Sequence, residues 1–528
     1  MYTVKVYFQD TELTAEYTKK MRLSDIFTDN KIPFNMPCGG CRRCGKCVVH
    51  AKGKLNKMST QEAELIQKAH INLSADGLPV RLACFCEIVG DAEIHIPYSK
   101  SDAPKMAALP DIKNLYDDTD PNALGIAADI GTTTITLQLF HLSSRRLLST
   151  LHQVNSQGYA GADVLSRIEY SARHGYKKLC DTVLQQIDTM ISAALEDASA
   201  LPKLLRRMVV TGNTTMLHFF AGLDPQGIGA APFKAQSLFG EAYTAAELGL
   251  SAYGGCDIYL PKCFGAYTGA DLLCGISALG FADDNSKSFL VDIGTNGEMA
   301  LAIDGKLLCC AAPAGPAMEG ANISMGMPAL PGAVYSVGLG DSGILIKTID
   351  DTAAVGICGS GLISAAAFMA ENEIIDESGA IQKDGHNFTE YLCGHNGEIS
   401  FKLGSSSVLI TQKDIRNLQL AKSAIAAGVD SLIHEAGIKP SDLDSFCISG
   451  GFGSYIDPKA AAAIGLIPKE VLPMLMLPGN TALAGAVEML FSLEQRKKSE
   501  TLPKLCSEIQ LSSSSFFMDS YIDNMMFG

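Results

Sequence analysis

Two stretches of the chain place the same Asp-Ile-Gly-Thr turn between apolar runs. They are GIAADIGTTTITLQLF, from Gly125 to Phe140, and SFLVDIGTNGEMALAI, from Ser288 to Ile303. Gly131 and Gly294 would let a ligand approach the backbone where any Cβ would block it. Backbone N–H groups and threonine hydroxyls in such a turn can surround an anionic oxygen, so we expect both turns to bind phosphate. The hydroxyls belong to Thr132, Thr133 and Thr295.

Carboxylates lie in or beside both turns. Asp129 and Asp292 come just before the turn glycines, and both could hold hydrated Mg2+ against the same phosphates. Glu298 follows the second turn, where a carboxylate can position a water or a metal. A solvent-facing glutamate in a hairpin is the other interpretation. The predicted catalytic residues are therefore Asp129, Asp292 and Glu298.

Six cysteines in two nearby segments indicate a metal centre. They are Cys38, Cys41, Cys44, Cys47, Cys84 and Cys86. Cys38-x5-Cys44-x2-Cys47 with a distant fourth cysteine is close to the plant-type [2Fe–2S] arrangement, whereas the first four cysteines together approach the bacterial [4Fe–4S] run. The β-rich flanks favour the [2Fe–2S] interpretation over that run. The spacing disfavours a zinc site, which would usually show two separated Cys-x2-Cys pairs. Spacing does not choose between Cys84 and Cys86, since both would face the same side of a strand.

Local patterns predict the elements that position these residues. Residues 2–8 alternate like a strand, and TAEYT after Asp10 is expected to return as its hairpin partner. Ser59-x-x-Glu62 before an apolar run indicates a capped helix.

Downstream, one apolar helix face is predicted from Val164, Leu165 and Ile168, with Asp163 as an N-terminal capping charge rather than a catalytic group. His218 is expected to be structural. A long amphipathic helix is predicted with Ala421, Ala424, Ile425, Gly428, Val429 and Leu432 on one side.

The length, composition and net charge of the chain limit the class of protein. A chain of 528 residues, 47% of them hydrophobic, should form about three domains. The net charge of −15 argues against a nucleic-acid partner. No apolar run of about 18 residues and no signal sequence is seen, which predicts a cytoplasmic protein without membrane segments. In such a chain, sixteen cysteines favour metal ligation or burial over disulfides.

The paired turns resemble the two phosphate loops of the acetate kinase, sugar kinase, Hsp70 and actin (ASKHA) superfamily, in which ATP lies between two similar α/β lobes. By this resemblance, the glycine-rich turn in AGPAMEGA lies over the nucleotide, which makes Gly315, Glu319 and Gly320 candidate contacts; close helix packing is the alternative. SGGFGSYID is similar to the superfamily's adenosine motif and adds Gly450, Gly451 and Phe452. The implied fold is a two-lobed α/β ASKHA ATPase preceded by a small α+β, β-grasp ferredoxin domain.

Nearly the whole chain resembles the reductive activators of corrinoid-dependent enzymes. DIGTTT, GNTTMLH, VDIGTNGE, AGPAMEGA, GICGSGL, TQKDIR and GGFGSYID carry the resemblance. It implies an iron–sulfur ATPase that passes one electron from a [2Fe–2S] cluster to the Co(II) of a corrinoid methyl-carrier protein and so regenerates Co(I). The implied cofactors are the cluster, ATP and Mg2+. An upstream electron donor is a further implied partner, and lobes of this kind often pair as homodimers.

The resemblance also implies roles for particular residues. The cluster ligands are Cys38, Cys44, Cys47 and Cys84; phosphate or Mg2+ contacts are Asp129, Thr132, Thr133, Asp292, Thr295 and Asn296; adenosine contacts are Gly450, Gly451 and Phe452. The predicted domains are a ferredoxin-like domain (1–97), a linker (98–122), a first lobe (123–284) and a second lobe with a tail (285–528).

Three other functions are compatible with parts of this pattern. An activator of a 2-hydroxyacyl-CoA dehydratase would share the lobes, but that family does not carry the ferredoxin domain. A nucleotide-dependent chaperone for a corrinoid protein would use the cluster structurally. A small-molecule kinase fused to a ferredoxin would need a phosphate acceptor and a catalytic aspartate.

Overall fold

The computed structural model describes residues 2–8, 11–30, 32, 42, 47–68, 78–96, 120–281, 285–340, 343–395, 398–450 and 455–527. Four of the predicted site residues lie outside these ranges: Cys38, Cys44, Gly451 and Phe452. Most of the predicted linker, 98–122, does so too. Within the described ranges, no helix combines the length and the apolar character needed to cross a bilayer.

The amino-terminal domain is one mixed sheet with two short helices. Its elements are β1 (Tyr2–Phe8), β2 (Thr11–Tyr17), β3 (Met21–Arg22), α1 (Leu23–Asp29), β4 (Val48–Leu55), α2 (Thr60–Lys68), β5 (Val80–Leu82) and β6 (Glu87–His95). The strand order is β2-β1-β6-β4-β5, with β3 beside β6. The predicted hairpin is confirmed by the antiparallel pairing of β1 with β2, and β1 runs parallel to β6. These pairings form the predicted β-grasp, ferredoxin-like domain.

The first lobe is built on a six-stranded sheet. Its elements are β7 (Leu124–Ile130), β8 (Thr134–His141), β9 (Arg146–Val154), α3 (Val164–His174), α4 (Lys177–Asp197), β10 (Leu205–Gly212), α5 (Thr214–Phe220), β11 (Glu241–Thr244), β12 (Asp257–Leu260) and α6 (Ala270–Ala278). The order is β11-β12-β10-β7-β8-β9. An antiparallel meander, β7 to β9, is thus extended by the parallel strands β10 and β12.

The second lobe repeats this plan and adds two small sheets. Its elements are β13 (Ser288–Ile293), β14 (Gly297–Ile303), β15 (Lys306–Ala312), β16 (Ala333–Gly340), β17 (Gly343–Thr348), β18 (Gly356–Ile357), α7 (Gly359–Glu371), β19 (Leu392–His395), β20 (Glu398–Lys402), β21 (Leu409–Thr411), α8 (Gln412–Ala436), β22 (Ser445–Ser449), α9 (Pro458–Ala463), β23 (Leu475–Gly479), α10 (Thr481–Phe491), α11 (Leu493–Ser499), β24 (Cys506–Glu508) and α12 (Ser515–Asp523). The main sheet has the order β23-β22-β13-β14-β15-β24. Its meander and two parallel neighbours match those of the first lobe, which confirms the predicted duplication.

Helices α6 and α10 form the core between the two main sheets. Helix α10 follows β23, an edge strand of the second sheet, yet it packs on β7 and β10 of the first, and α6 packs on β13 and β14. The helices cross closely at Gly485, where a Cβ would lie 2.1 Å from the carbonyl oxygen of Cys274. Since atoms cannot approach so closely, glycine is required at this crossing. The turns that precede the two helices therefore face the cleft between the lobes.

Most predicted helix faces are confirmed, with one error. Helix α8 buries all six residues predicted for its apolar side. On α3, Val164 and Ile168 are buried, but Leu165 is 52% exposed. The prediction for Leu165 was wrong because adjacent helical residues point about 100° apart, whereas residues four apart share a face.

Candidate functional site

The two predicted phosphate turns close matching hairpins, β7–β8 and β13–β14. In the first turn, the Gly131 N–H donates to the Thr134 carbonyl oxygen at 3.0 Å, and a Cβ at Gly131 would lie 2.6 Å from that oxygen. The turn itself therefore requires glycine there. In the second, the Gly294 N–H donates to the Asn296 carbonyl oxygen at 3.0 Å, but a Cβ at Gly294 would meet no atom closer than 3.7 Å. Glycine at 294 instead leaves space beside the backbone.

Buried polar side chains anchor the first turn. The Thr132 hydroxyl accepts a hydrogen bond from Nδ2 of Asn213 at 3.0 Å, and Nδ2 of Asn155 donates to the Gly131 carbonyl oxygen at 2.8 Å. The guanidinium of Arg167, which is 1% exposed, donates to the Thr132 carbonyl oxygen. Burial lowers the pKa of Arg167 to about 10, so the group keeps its positive charge at neutral pH. A fixed cation thus lies directly behind the turn.

Asp129 is the next-to-last residue of strand β7 and contacts the second lobe. Its Oδ2 accepts a hydrogen bond from Nδ2 of Asn480 at 2.8 Å, and Asn480 is the N-cap of α10. Burial raises the pKa of Asp129 to about 7; the charge of Asp271 adds to this, while the bond from Asn480 opposes it. Near neutral pH this carboxyl is therefore poised between its two protonation states.

Asp292 occupies the equivalent position at the end of β13. Its Oδ2 accepts a hydrogen bond from the Ser449 hydroxyl at 3.3 Å. Burial, with the charges of Asp271 and Asp129, raises the pKa of Asp292 to about 7. Gly450 has φ +99, and a Cβ there would lie 2.8 Å from Oδ1 of Asp292. The predicted adenosine turn therefore starts directly against the second phosphate turn.

Glu298 is not solvent-facing, which excludes one of the two interpretations of this residue. It is 6% exposed, and its Oε2 accepts a hydrogen bond from the Gly269 N–H at 3.0 Å. Gly269 is the N-cap of α6 in the other lobe. Burial and the charge of Asp271 raise the pKa of Glu298, and the two carboxyls are hydrogen bonded to each other. A hydrogen bond between the two carboxyls of Glu298 and Asp271 thus joins the two lobes.

Glu319 joins the two phosphate turns. It ends a single 3-10 turn, Pro316–Glu319, between Gly315 at φ +74 and Gly320 at φ +78. Its carboxylate accepts hydrogen bonds from the hydroxyls of Thr295 and Thr133, one from each turn.

The two glycines beside Glu319 differ in their surroundings. A Cβ at Gly320 would lie 2.5 Å from the carbonyl oxygen of Met327, which is not in a helix, and φ is +78, so both close packing and the backbone conformation favour glycine there. A Cβ at Gly315 would meet nothing within 4 Å, so its positive φ is what favours glycine there.

Five carboxyl groups therefore converge on the space between the turns. Asp129, Asp271, Asp292, Glu298 and Glu319 all have raised pKa values, chiefly because of burial. Among the described residues, no three His, Cys, Asp or Glu side chains are grouped closely enough to enclose a metal ion. Such a cleft suits a cation that arrives with its own phosphate and water ligands.

Sequence reasoning missed three residues of this cleft: Asp271, Arg167 and Asn480. Asp271 lies in the first turn of α6, and Arg167 lies on the buried face of α3. A charged residue among the apolar positions of α3 was a signal for Arg167. For Asn480 the signal was an N-cap residue in GNTALAG, although nothing local indicates its partner. By contrast, Asp163 caps α3 as predicted, accepting the Ser166 N–H at 2.7 Å.

His218 is structural, as predicted. Its Nδ1 hydrogen bonds to the Thr214 carbonyl oxygen at 2.7 Å, and its Nε2 accepts the N–H groups of Gln236 and Ser237. Both ring nitrogens are thus engaged within the lobe.

In the amino-terminal domain, two of the predicted cluster ligands lie together. The sulfurs of Cys47 and Cys84 are 3.2 Å apart and both side chains are buried. This distance exceeds the roughly 2.05 Å of a disulfide, so two unbridged sulfurs face each other. Residues 83–85 form a turn between β5 and β6. The expectation that Cys84 and Cys86 share one side of a strand was therefore wrong, because strand alternation does not extend through a turn.

A buried ionic network holds the segment that carries Cys84. Arg81 donates to both carboxylate oxygens of Glu62, at 2.8 and 3.0 Å, and to the carbonyl and side-chain oxygens of Asn56. Glu62 also accepts the Leu82 N–H at 2.9 Å, and Nδ2 of Asn56 donates to the Phe85 carbonyl oxygen at 3.1 Å. These bonds fix the backbone on both sides of Cys84.

Cys86 faces this network rather than the sulfur pair. Burial raises the pKa of the Cys86 thiol to about 12, while the charge of Arg81 opposes the shift. The side chain is fully buried. The Cys86 side chain therefore lies within reach of the charges of Arg81 and Glu62.

Comparison with known proteins finds relatives that match the chain along nearly its whole length. Residues 286–528 match the family model described as the C-terminal domain of RACo, the ASKHA domain, and residues 124–284 match the RACo middle region. The chain is 28% identical to the corrinoid activation enzyme RamQ of Eubacterium limosum over 592 aligned residues, covering 99% of each chain. It is 29% identical to the Co(II) methylated amine-specific corrinoid protein reductase of Methanosarcina barkeri over 399 residues, 69% of each chain.

A solved structure also matches the chain from end to end. A reductive activator for corrinoid, iron-sulfur protein has a TM-score of 0.71 and 26% identity, over 100% of this chain and 98% of that one. Together these findings confirm the resemblance that the motifs predicted. The chain belongs to the RACo family, with a ferredoxin-like domain ahead of an ASKHA carboxy-terminal domain.

Proposed function

We propose that this protein is an ATP-dependent reductive activator of a corrinoid protein, returning Co(II) to Co(I) for methyl transfer. One observation carries the proposal: a buried sulfur pair in a ferredoxin-like domain and a two-lobed cleft with paired phosphate turns occur in one chain. The end-to-end similarity to a solved reductive activator supports it. So does the similarity to a corrinoid activation enzyme and a corrinoid protein reductase.

The cluster site is assigned to Cys38, Cys44, Cys47 and Cys84. Two adjacent buried sulfurs, Cys47 and Cys84, are a fitting donor set for a [2Fe–2S] centre. Cys84 is preferred to Cys86 because its sulfur faces that of Cys47 at 3.2 Å, whereas Cys86 is buried beside the Glu62–Arg81 pair. When bound, the cluster supplies the single electron for Co(II).

The nucleotide site is assigned to the cleft. The turns with Thr132, Thr133, Thr295 and Asn296 are proposed to hold the phosphates. Asp129 and Asp292 are proposed to hold the waters of Mg2+, which usually binds through one or two carboxylates plus phosphate. Gly450, with Gly451 and Phe452 after it, is assigned to the adenosine.

ATP is needed on energetic grounds. A plant-type cluster has a potential of about −400 mV, and each ~59 mV of unfavourable gap costs tenfold in a one-electron equilibrium. A cobalt couple below that potential would leave the electron on iron. Nucleotide can shift this equilibrium if the lobes bind ATP and the corrinoid protein in coupled states. Asp129–Asn480 and Glu298–Gly269 are contacts through which closure of the cleft would be communicated.

The partners and location follow from the same proposal. An upstream protein must reduce the cluster, and the corrinoid protein accepts the electron. A homodimer and a cytoplasmic location are proposed by analogy with proteins that share these lobes.

The test is an anaerobic mixture of the reconstituted protein, an electron donor and a Co(II) corrinoid protein, followed by its visible spectrum. The proposal predicts the Co(I) band with Mg-ATP and its absence without ATP. A Cys84→Ser variant should abolish the reduction but retain ATP binding. ATP hydrolysis with cobalt unchanged across several corrinoid partners would favour the chaperone instead.

A further inference from the structure

One of the five cleft carboxyls differs from the others in its partners. Asp129 is held by Asn480, Asp292 by Ser449, and Glu298 by the Gly269 N–H and Asp271. None of those donors lies in a phosphate turn. Glu319 instead accepts hydrogen bonds from the hydroxyls of Thr133 and Thr295, which belong to the two phosphate turns.

This arrangement matters because a terminal phosphate between the turns would recruit the same two hydroxyls. Phosphate oxygens and a carboxylate are both acceptors, so they compete for one set of donors. Once the hydroxyls turn to the phosphate, Glu319 loses both partners, whereas Asp129, Asp292 and Glu298 keep theirs. An unpartnered carboxylate beside the terminal phosphate is well placed to accept a hydrogen bond from water.

We propose that Glu319 is the carboxylate that orients and deprotonates the attacking water during ATP hydrolysis, an inference that rests on the proposed function. The water oxygen forms a bond to the γ-phosphorus while the bond from that phosphorus to the β,γ-bridging oxygen breaks. ADP leaves with the electron pair of the broken bond. The proton lost by the water passes to Glu319, which later returns it to solvent.

Two features of the surroundings suit this role. Arg167 is a buried cation near both Glu319 and the first turn; burial raises the pKa of Glu319, and the charge of Arg167 opposes that rise. The flanking Gly315 and Gly320 adopt the positive φ angles that the short turn requires, and Gly320 packs closely against the backbone of Met327. Glu319 therefore projects from a fixed segment of the second lobe.

The experiment compares the full-length wild type with Glu319→Gln. The rate of phosphate release at saturating Mg-ATP gives kcat, and titration with a fluorescent ADP gives Kd. Loss of a general base should lower kcat by about 10²-fold or more, while Kd changes by less than about threefold, since the two hydroxyls remain. The matched control is Glu508→Gln. Glu508 also accepts a threonine hydroxyl, that of Thr268 at 2.8 Å, but neither residue lies in a phosphate turn. Its kcat and Kd should match the wild type.

Two results would overturn the inference. One is a wild-type kcat in Glu319→Gln; the other is a loss confined to Kd that saturating ATP restores. If the glutamine variant does not fold, Glu319→Asp is used instead, because it retains the charge but moves the carboxylate away from the water. Its kcat should be at least tenfold lower at unchanged Kd. A wild-type kcat in this variant would refute the role of Glu319. If the wild type itself neither binds nor hydrolyses ATP, the proposed function fails first, and this inference with it.

Discussion

Nδ2 of Asn480 donates a hydrogen bond to Oδ2 of Asp129 at 2.8 Å, across the cleft between the two lobes. The same side chain caps α10 by accepting the Leu483 N–H at 2.8 Å. Asn480 therefore fixes the start of a helix from one lobe against the phosphate turn of the other.

Replacement of Asn480 separates these two roles. Asn480→Ala should weaken Mg-ADP binding about tenfold, because a hydrogen bond to a charged group contributes roughly 1.5–3 kcal/mol. It should also lower the free energy of unfolding by about 1 kcal/mol through loss of the cap. Asn480→Asp retains a capping oxygen, so it should keep stability but lose at least as much affinity. Titration calorimetry and denaturant melts measure the two effects; a wild-type Kd in both variants would contradict the cross-cleft role.

Nucleotide binding should depend on pH because the pKa values of Asp129 and Asp292 are raised to about 7. In the absence of ligand, each carboxyl keeps a proton that the unfolded chain releases near pH 3.8. Their contribution to stability is thus complete below that pH and is lost as pH rises towards 7. Mg2+ requires the ionised forms, so Mg-ADP affinity should rise between pH 6 and 8 by about tenfold for each carboxyl that must ionise.

Calorimetry in buffers of different ionisation enthalpy detects the protons released on binding. Release should be greatest below pH 7 and should fall in Asp292→Asn. Binding that is independent of pH and releases no protons would show that these carboxyls do not meet the metal.

Removal of one partner of the buried Glu62–Arg81 pair should strongly destabilise the amino-terminal domain. Both side chains are almost completely buried. Glu62→Gln leaves Arg81 without its counter-charge, which should cost roughly 3–5 kcal/mol. The exposed pair Lys5–Glu12, at 3.1 Å, supplies the control, since exposed ion pairs contribute little and Glu12→Gln should leave the free energy of unfolding nearly unchanged. Denaturant melts followed by cluster absorbance would reveal the difference, and equal effects of the two variants would count against the network.

The fourth cluster ligand can be decided by substitution. Cys84→Ser should reduce bound iron and sulfide and alter the EPR spectrum, because its sulfur faces that of Cys47 at 3.2 Å. Cys86→Ser should retain iron and spectrum, although it places a hydroxyl in a buried position. Loss of the cluster from Cys86→Ser with retention in Cys84→Ser would reverse the assignment.

Much of this fold could be predicted from local patterns. The repeated Asp-Ile-Gly-Thr turn predicted two similar lobes because a short hairpin signal survives in both copies. Alternation in residues 2–8 predicted strand β1, and the apolar stripe of α8 predicted that helix. Both predictions succeeded because each pattern lies within one short, continuous segment.

Contacts across the lobes could not be predicted in this way. Asp129 and Asn480 are 351 positions apart, and no local pattern connects them. Asp271 was missed because a lone aspartate in the first turn of a helix normally suggests only a favourable interaction with the helix dipole. Glu298 resembled a surface residue in its hairpin, and only the structure shows that the first lobe covers it.

Coupling of ATP to cobalt reduction can be tested in a single-turnover experiment with pre-reduced protein and a Co(II) corrinoid protein, mixed anaerobically with or without Mg-ATP. Absorbance is followed at wavelengths that separate the Fe–S and cobalt bands. An ATP-dependent reductive activator should form about one Co(I) per oxidised cluster with ATP, and much less without it. Co(I) formation at the same rate and yield without ATP, or ATP turnover while Co(II) persists, would contradict the proposed function.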